Sequence, residues 1–185
     1  MVLKEVAFIG KTFNSTMRMV TGEAVVLWII LAAITGIITY MLYRRGKIKS
    51  STAILFPILV LFIAFTLTIT VFGRVPAAKA KYKLELFWTI KHILAGRKKL
   101  IGEVFWNVVL FVPTGFIVSA LIPRRAWITL LICAAGSAVI ELTQLLMHRG
   151  LFEFDDIIYN SAGAVIGLLL FLLLKKIGGR FINGS

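Results

Sequence analysis

The sequence predicts an all-α fold, a polytopic membrane helix bundle of about five transmembrane helices plus an interfacial amphipathic helix. Three observations predict it. Of the 185 residues, 59% are hydrophobic and only 16% charged, and the mean hydropathy is +0.95, far above that of a soluble domain. The apolar residues gather in five runs, each close to the ~20 residues that cross a bilayer. Lys and Arg cluster at the ends of those runs, where they meet lipid headgroups.

Taken in order, Met1–Glu23 mixes basic and apolar residues with no run long enough to span and no signal-peptide pattern. Lys4–Val20 is read as a weakly patterned interfacial segment. Ala24–Tyr43 is the first span, ended by Arg44, Arg45, Lys47 and Lys49, and Thr52–Phe72 is the second. The third, Glu103–Ile122, carries Pro113-Thr114-Gly115, where a kink is expected, and stops at Pro123-Arg124-Arg125. Ala126–Met147 is the fourth, and Ile157–Leu174 the fifth, closed by Lys175-Lys176. Residues 1–51 thus form an N-terminal interfacial segment with the first span, and 52–185 a membrane domain of four spans.

The connection Gly73–Gly102 differs from the other loops. Leu86, Phe87, Ile90, Ile93 and Leu94 recur at helical spacing, with Glu85, Thr89 and His92 off that face. Such a helix lies in the headgroup layer rather than crossing it. Basic residues flank it, and they point to anionic lipid as the partner of a chain with net charge +13. No nucleic-acid partner is expected, because the four Trp sit near span ends as anchoring rings do. Cys133 is alone, which excludes an internal disulfide and a zinc cluster. There is no P-loop, no G-x-S-x-G and no H-E-x-x-H.

Five spans put the N-terminus, the 73–102 connection and the 148–156 loop on one side. The opposite side holds its basic residues in short segments without a single acid, so it is expected to be cytoplasmic, with the N-terminus outside. Counting helix rise at about 1.5 Å per residue, Arg74, Asn107, Glu141, Gln144, Asp156 and Asn160 fall in one outer shell. Ser137, Glu141, Gln144 and His148 follow i, i+4, i+7, i+11 and share a helix face. Polar residues within spans face a bundle interior or a wet cavity. Gly163-x-x-x-Gly167 permits a close helix approach, which is expected to bring Asn160 against Glu141.

A carboxylate set in an apolar span is how a general acid or base is tuned. Glu141 and Asp156, with Arg149, are therefore the candidate catalytic residues, and the two acids offer oxygens for a divalent cation. Arg74 is placed to hold an anion, with Asn107, Gln144, Asn160 and Asp155 as further substrate-binding candidates. Asp155 and Asp156 also suit a helix N-terminus, so one of them is open to reading as a cap. The alternative is that Glu141 pairs with Arg149 or Arg74 and only ties helices together. No cofactor, metal or oligomeric state is specified.

Asn107, Phe111-Val112-Pro113-Thr114-Gly115, Ser137, Glu141-Leu142-Thr143-Gln144, Arg149 and Asp155-Asp156-Ile157-Ile158-Tyr159-Asn160-Ser161-Ala162-Gly163 together resemble VanZ-like membrane proteins. Upstream, Arg74 and Phe87-Trp88-Thr89 match the family's Arg and its Pro-Phe-x-Ser/Thr element, with Leu86 where many members have Pro. The resemblance covers roughly Thr52–Leu174, which makes the first helix an addition to a four-helix core. It implies a multi-pass protein of the bacterial cytoplasmic membrane and cell envelope. The founding member is associated with resistance to the glycopeptide antibiotic teicoplanin. Two readings of function follow. One is an outward-facing hydrolase or transferase, acid/base or metal-assisted, for a lipid-linked or cell-wall headgroup. The other is a non-catalytic factor binding a lipid or glycopeptide. A small transporter is a third, opposed by the apolar inner half of the spans.

Overall fold

The computed structural model describes residues 20–183. The segment Lys4–Val20 lies almost wholly outside them. Six α-helices and one two-stranded bridge make up the fold: α1 Gly22–Arg44, α2 Ser50–Leu67, β1 Tyr82–Lys83, α3 Trp88–Leu94, α4 Lys99–Leu121, α5 Ala126–Leu146, β2 Phe152–Glu153 and α6 Phe154–Asn183. Five of these helices, α3 being the exception, are long and apolar enough to cross a membrane.

The ends of the helices follow from local chemistry. Thr21 caps α1, its Oγ1 accepting from Ala24 N. At the other end Gly46 takes a left-handed φ of +67°, and Gly46 and Lys47 N–H return to Tyr43 and Leu42 carbonyls. That is the Schellman closure. Helix α5 ends the same way, but His148 occupies the left-handed position with φ +54°. His148 N–H donates to Leu145 O and Arg149 N–H to Gln144 O.

Several boundaries depart from hydropathy. α4 begins at Lys99 rather than Glu103, so Asn107 sits further along its helix than the apolar run implies. α6 starts at Phe154 and runs through Lys175-Lys176 to Asn183, because a basic pair ends an apolar run without ending helical hydrogen bonding. α2 passes into a π-helical turn over Thr68–Phe72, where Gly73 N–H reaches back to Thr68 O at 2.7 Å. α4 stays helical across Pro113.

Helices α4 and α6 make the closest contact in the bundle. A side chain at Gly163 would strike the Val108 carbonyl, one at Gly167 the Val112 carbonyl, and one at Gly115 the Ala164 backbone. Hydrocarbon solvent gives helices no hydrophobic reason to associate, so close backbone packing supplies the contact. Phe111, Ile117, Val118, Cys133, Ala164 and Leu59 form the buried core around it. The sequence motif Gly163-x-x-x-Gly167 therefore works as a close-approach surface, with the third span as its partner. Helix α1 lies against α2, where Trp28 Nε1 donates to Thr68 Oγ1 at 3.0 Å.

Gly163→Leu is expected to prevent this packing, with a loss of about 3 kcal/mol or more and little monodisperse protein. Gly136→Ala meets open space and should hold or raise the melting temperature in detergent. Equal tolerance of both substitutions would remove the contact from its structural role.

Candidate functional site

The buried acids and amides of the spans lie toward one end of the bundle, while hydroxyls such as Thr39, Ser119 and Thr129 are buried at the other. On α5, Ser137, Glu141 and Gln144 are 0%, 2% and 3% exposed, so the predicted common face is real and points inward. His148 leaves that face by entering the left-handed cap and is exposed. On α6, Asp155 and Asn160 are buried, and Asp156 is half-buried beside them.

Each buried group has a definite partner. Glu141 Oε2 accepts from the backbone N–H of Glu153 at 2.9 Å. Asp156 and Arg74 lie within electrostatic reach of it. The side chain of Asn107 faces the Asp156 carboxylate at hydrogen-bonding reach. Gln144 Nε2 donates to Thr70 O at 3.0 Å, a carbonyl within the π turn. Asn160 Nδ2 donates to Ser137 Oγ at 2.8 Å, one helical turn short of Glu141. The expectation that Asn160 meets Glu141 is thus corrected, and the reason is the α4–α6 contact, which sets the height of α6.

Asp155 has a role the sequence left open. Its Oδ1 accepts from Phe87 N at 2.6 Å and its Oδ2 from Thr89 N at 2.8 Å. It therefore caps α3, sixty-odd residues earlier, rather than its own helix. Phe87 enters that cap with φ +59°. This pins α3 down by its polar side: Thr89 is 4% exposed, while Leu86, Phe87, Ile90 and Leu94 face outward. The apolar stripe is outside, as an interfacial helix requires, but the helix is only seven residues long. Its Thr89 is a docking residue, not a solvated one.

The loops at this end of the bundle close over the cluster. Tyr82 and Lys83 pair in parallel with Phe152 and Glu153, Phe152 N donates to Lys81 O at 3.0 Å, and Ala77 N to His148 O at 2.8 Å. Arg149 Nη1 donates to the carbonyls of Phe72 and Arg74, at 2.5 and 3.1 Å, and so closes the C-terminal end of α2. Arg74 packs against Gly150, where an added Cβ would strike the guanidinium and crowd Gln144 Oε1.

Two residues absent from the sequence reading belong here. Glu153 lends its amide to Glu141, and its carboxyl is pushed up from an ordinary 4.5 to about 7. Burial is the main cause, followed by repulsion from Asp156, Glu103 and Asp155, with Arg74 opposing. Glu103 joins the same group of charges from α4. Glu153 sits at a strand end outside the apolar runs, and Glu103 at the edge of the third run, within the first turns of α4, so neither stands out as a buried acid in the sequence. Oε1 of Gln144 and Oε1 of Glu153 are buried without a protein hydrogen-bond partner, so the cluster has acceptor capacity left for water or a ligand. Among the described residues, no group of three or more His, Cys, Asp or Glu converges closely enough to hold a metal.

Two predictions follow from these contacts. Asp155→Asn keeps only one acceptor oxygen, so α3 should loosen by on the order of 2 kcal/mol. Amide exchange over 82–98 would then quicken about 30-fold, and unchanged exchange would dismiss the cap. For Glu153, the folded state binds more protons than the unfolded state between pH 4.5 and about 7. Its contribution is therefore full below pH 4.5 and is lost as pH rises through about 7. Glu153→Gln should flatten the fall in melting temperature over that window, and an identical slope in the variant would contradict the assignment.

Comparison with known proteins is consistent with this architecture. No curated protein and no solved structure matches the chain. The family model described as VanZ/LLP1 matches residues 53–175, more than half of the chain, from the start of α2 to the end of the apolar part of α6. The protein belongs to the VanZ family of membrane proteins.

Proposed function

We infer that this protein is a cell-envelope enzyme of the bacterial cytoplasmic membrane, acting on the headgroup of a lipid-linked or cell-wall amphiphile at the outer surface. The observation that carries the reading is that Glu141 from α5, Asp156 from α6 and Arg74 stand within electrostatic reach of one another under the loops. Two carboxyls on separate helices beside a guanidinium can divide the work of a hydrolase or transferase. One carboxyl draws the proton from an attacking water or hydroxyl, and the other returns a proton to the leaving oxygen. Arg74 holds the anionic group meanwhile. Asn107 orients Asp156, and Gln144 holds the π turn through its amide nitrogen and faces the ligand with its amide oxygen. Asn160 supports the cluster by holding Ser137.

The outward orientation rests on charge. Arg44, Arg45, Lys47, Lys49, Arg124, Arg125, Lys175 and Lys176 crowd the end away from the cluster with no acid among them, the pattern of a cytoplasmic face.

A second reading is a non-catalytic factor that recognises a lipid or a glycopeptide, in keeping with a resistance-related role for the family. It is favoured by how many site residues serve the fold. Arg149 gives one of its nitrogens to backbone carbonyls, and both oxygens of Asp155 are engaged.

Glu141→Gln and Asp156→Asn separate the two. Both should insert and purify like wild type. The envelope lipid and lipid-linked precursor pools of cells overproducing the protein would be profiled by mass spectrometry. Turnover of the affected species should fall about 10²-fold or more in each variant. Wild-type turnover in both would reject the enzymatic reading, and retained teicoplanin tolerance alongside it would favour the binding factor.

A further inference from the structure

Below the polar cluster, toward the middle of the membrane, α2, α4 and α5 enclose an apolar groove of about 230 Å³. Its walls are Leu59, Ile63 and Thr66 from α2, Phe111, Thr114 and Val118 from α4, and Ile132, Gly136 and Ile140 from α5, among others. The one hydroxyl that the α2 wall contributes is already spent, since Thr66 Oγ1 donates to Phe62 O at 2.9 Å. Apart from Thr114 on α4, the rest of the lining carries no oxygen or nitrogen side chain.

The register of the three helices ties the groove to the cluster. On α2 the wall positions 59, 63 and 66 lead along the helix to Thr70, whose carbonyl Gln144 holds, and Arg74 follows just beyond the end of the π turn. On α5 the positions 132, 136 and 140 continue at Gln144, and Cys133 continues at Ser137 and Glu141. On α4 the positions 118, 114 and 111 continue at Asn107. The groove thus lies directly below the cluster along the three helices, open on its lipid side where Ile132 and Val139 are exposed.

We propose that the groove seats one acyl chain of a phospholipid whose headgroup occupies the polar cluster. The inference rests on reading that cluster as a headgroup site, and it names the class of ligand. Dimensions set the occupant. The stretch from Leu59 to Thr66 gives a wall about 10 Å long, most of one leaflet of a ~30 Å hydrocarbon core. The space is far too small for a further helix, which needs a diameter of about 10–12 Å. Arg74, above the groove at the headgroup level, matches the charge of a lipid phosphate. The unpartnered oxygens of Gln144 and Glu153 match hydroxyl or amine donors on the far side of that phosphate. Gly136 borders this space, since an added Cβ there meets no atom within 4 Å, so a larger side chain can be introduced into the groove.

The test uses the full chain in detergent, with phosphatidylglycerol bearing 16-carbon or 6-carbon chains as probes and native mass spectrometry as readout. Wild type should bind the long-chain probe more tightly than the short. Gly136→Leu fills the groove and should weaken the long-chain probe about tenfold while leaving the short-chain probe unchanged. Gly136→Ala should fall between. Arg74→Gln should weaken both probes. Equal wild-type affinity for the two chain lengths, or no effect of Gly136→Leu, overturns the groove. A long-chain effect of Gly136→Leu combined with no effect of Arg74→Gln keeps the groove and overturns the headgroup site. Tighter seating of a polyprenyl phosphate than of either phospholipid overturns the choice of occupant, and binding of no probe overturns both.

Discussion

A carboxylate buried in a membrane protein must be given donors, and here the donors are backbone amides of the loops outside the membrane. Desolvating an ion costs several kcal/mol after all relaxation, so Glu141 and Asp155 cannot stand in their helices unaided. Glu141 receives the Glu153 amide, and Asp155 receives those of Phe87 and Thr89. Neither bond can form unless the loop that supplies it is folded onto the bundle. The acids therefore recruit the roof of their own site. The two-residue bridge between Tyr82–Lys83 and Phe152–Glu153 is too short to be stable alone. It is held because its strands are anchored from below.

The second constraint is the height of α6 relative to its neighbours. Glycines at 115, 163 and 167 let α4 and α6 meet backbone to backbone, and a contact of that kind admits little sliding. The height it fixes brings Asp156 level with Asn107 and Asn160 level with Ser137. One turn of displacement, about 5.4 Å, would put Asn160 opposite Glu141 and separate Asp156 from its partner. The small residues deep in the bundle thus decide which polar pairs form near its surface. The π turn of α2 acts similarly at the other wall. It frees the Thr70 carbonyl, and Gln144 takes it.

Much of this was legible in the chain. The five spans follow from hydropathy, because a bilayer leaves the backbone almost no other choice. The shared face of Ser137, Glu141 and Gln144 follows from 3.6-residue periodicity, and its burial from the cost of polar groups in lipid. What was not legible depends on contacts remote in sequence. Asp155 and Asp156 are adjacent and chemically alike, yet one caps α3 and the other joins the cluster. Only the placement of α3 separates them. Thr89 falls off the apolar face of its helix, but periodicity does not say what that polar edge touches, nor that the exposed residues are the apolar ones. In the headgroup layer they face lipid, and the polar edge does the docking. Glu153 went unnoticed because its contribution to Glu141 is an amide, which every residue possesses. Its side chain becomes unusual only once the loop is folded.

The same contacts sort the cluster into supporting and available groups. Asp155 has both oxygens engaged, and Asn160 and Arg149 each hold a protein partner. Removing any of these disturbs position first. Gln144 and Glu153 each retain a buried oxygen without a protein partner. Buried acceptors of that kind are rare in finished interiors and are normally met by water or ligand. Both oxygens belong to residues that surround Glu141 and Arg74 rather than to the α3 cap. The side of the cluster bounded by Glu141, Gln144, Glu153 and Arg74 is therefore the one built to receive something. It is also the side on which α2 and α5 continue downward into the apolar groove.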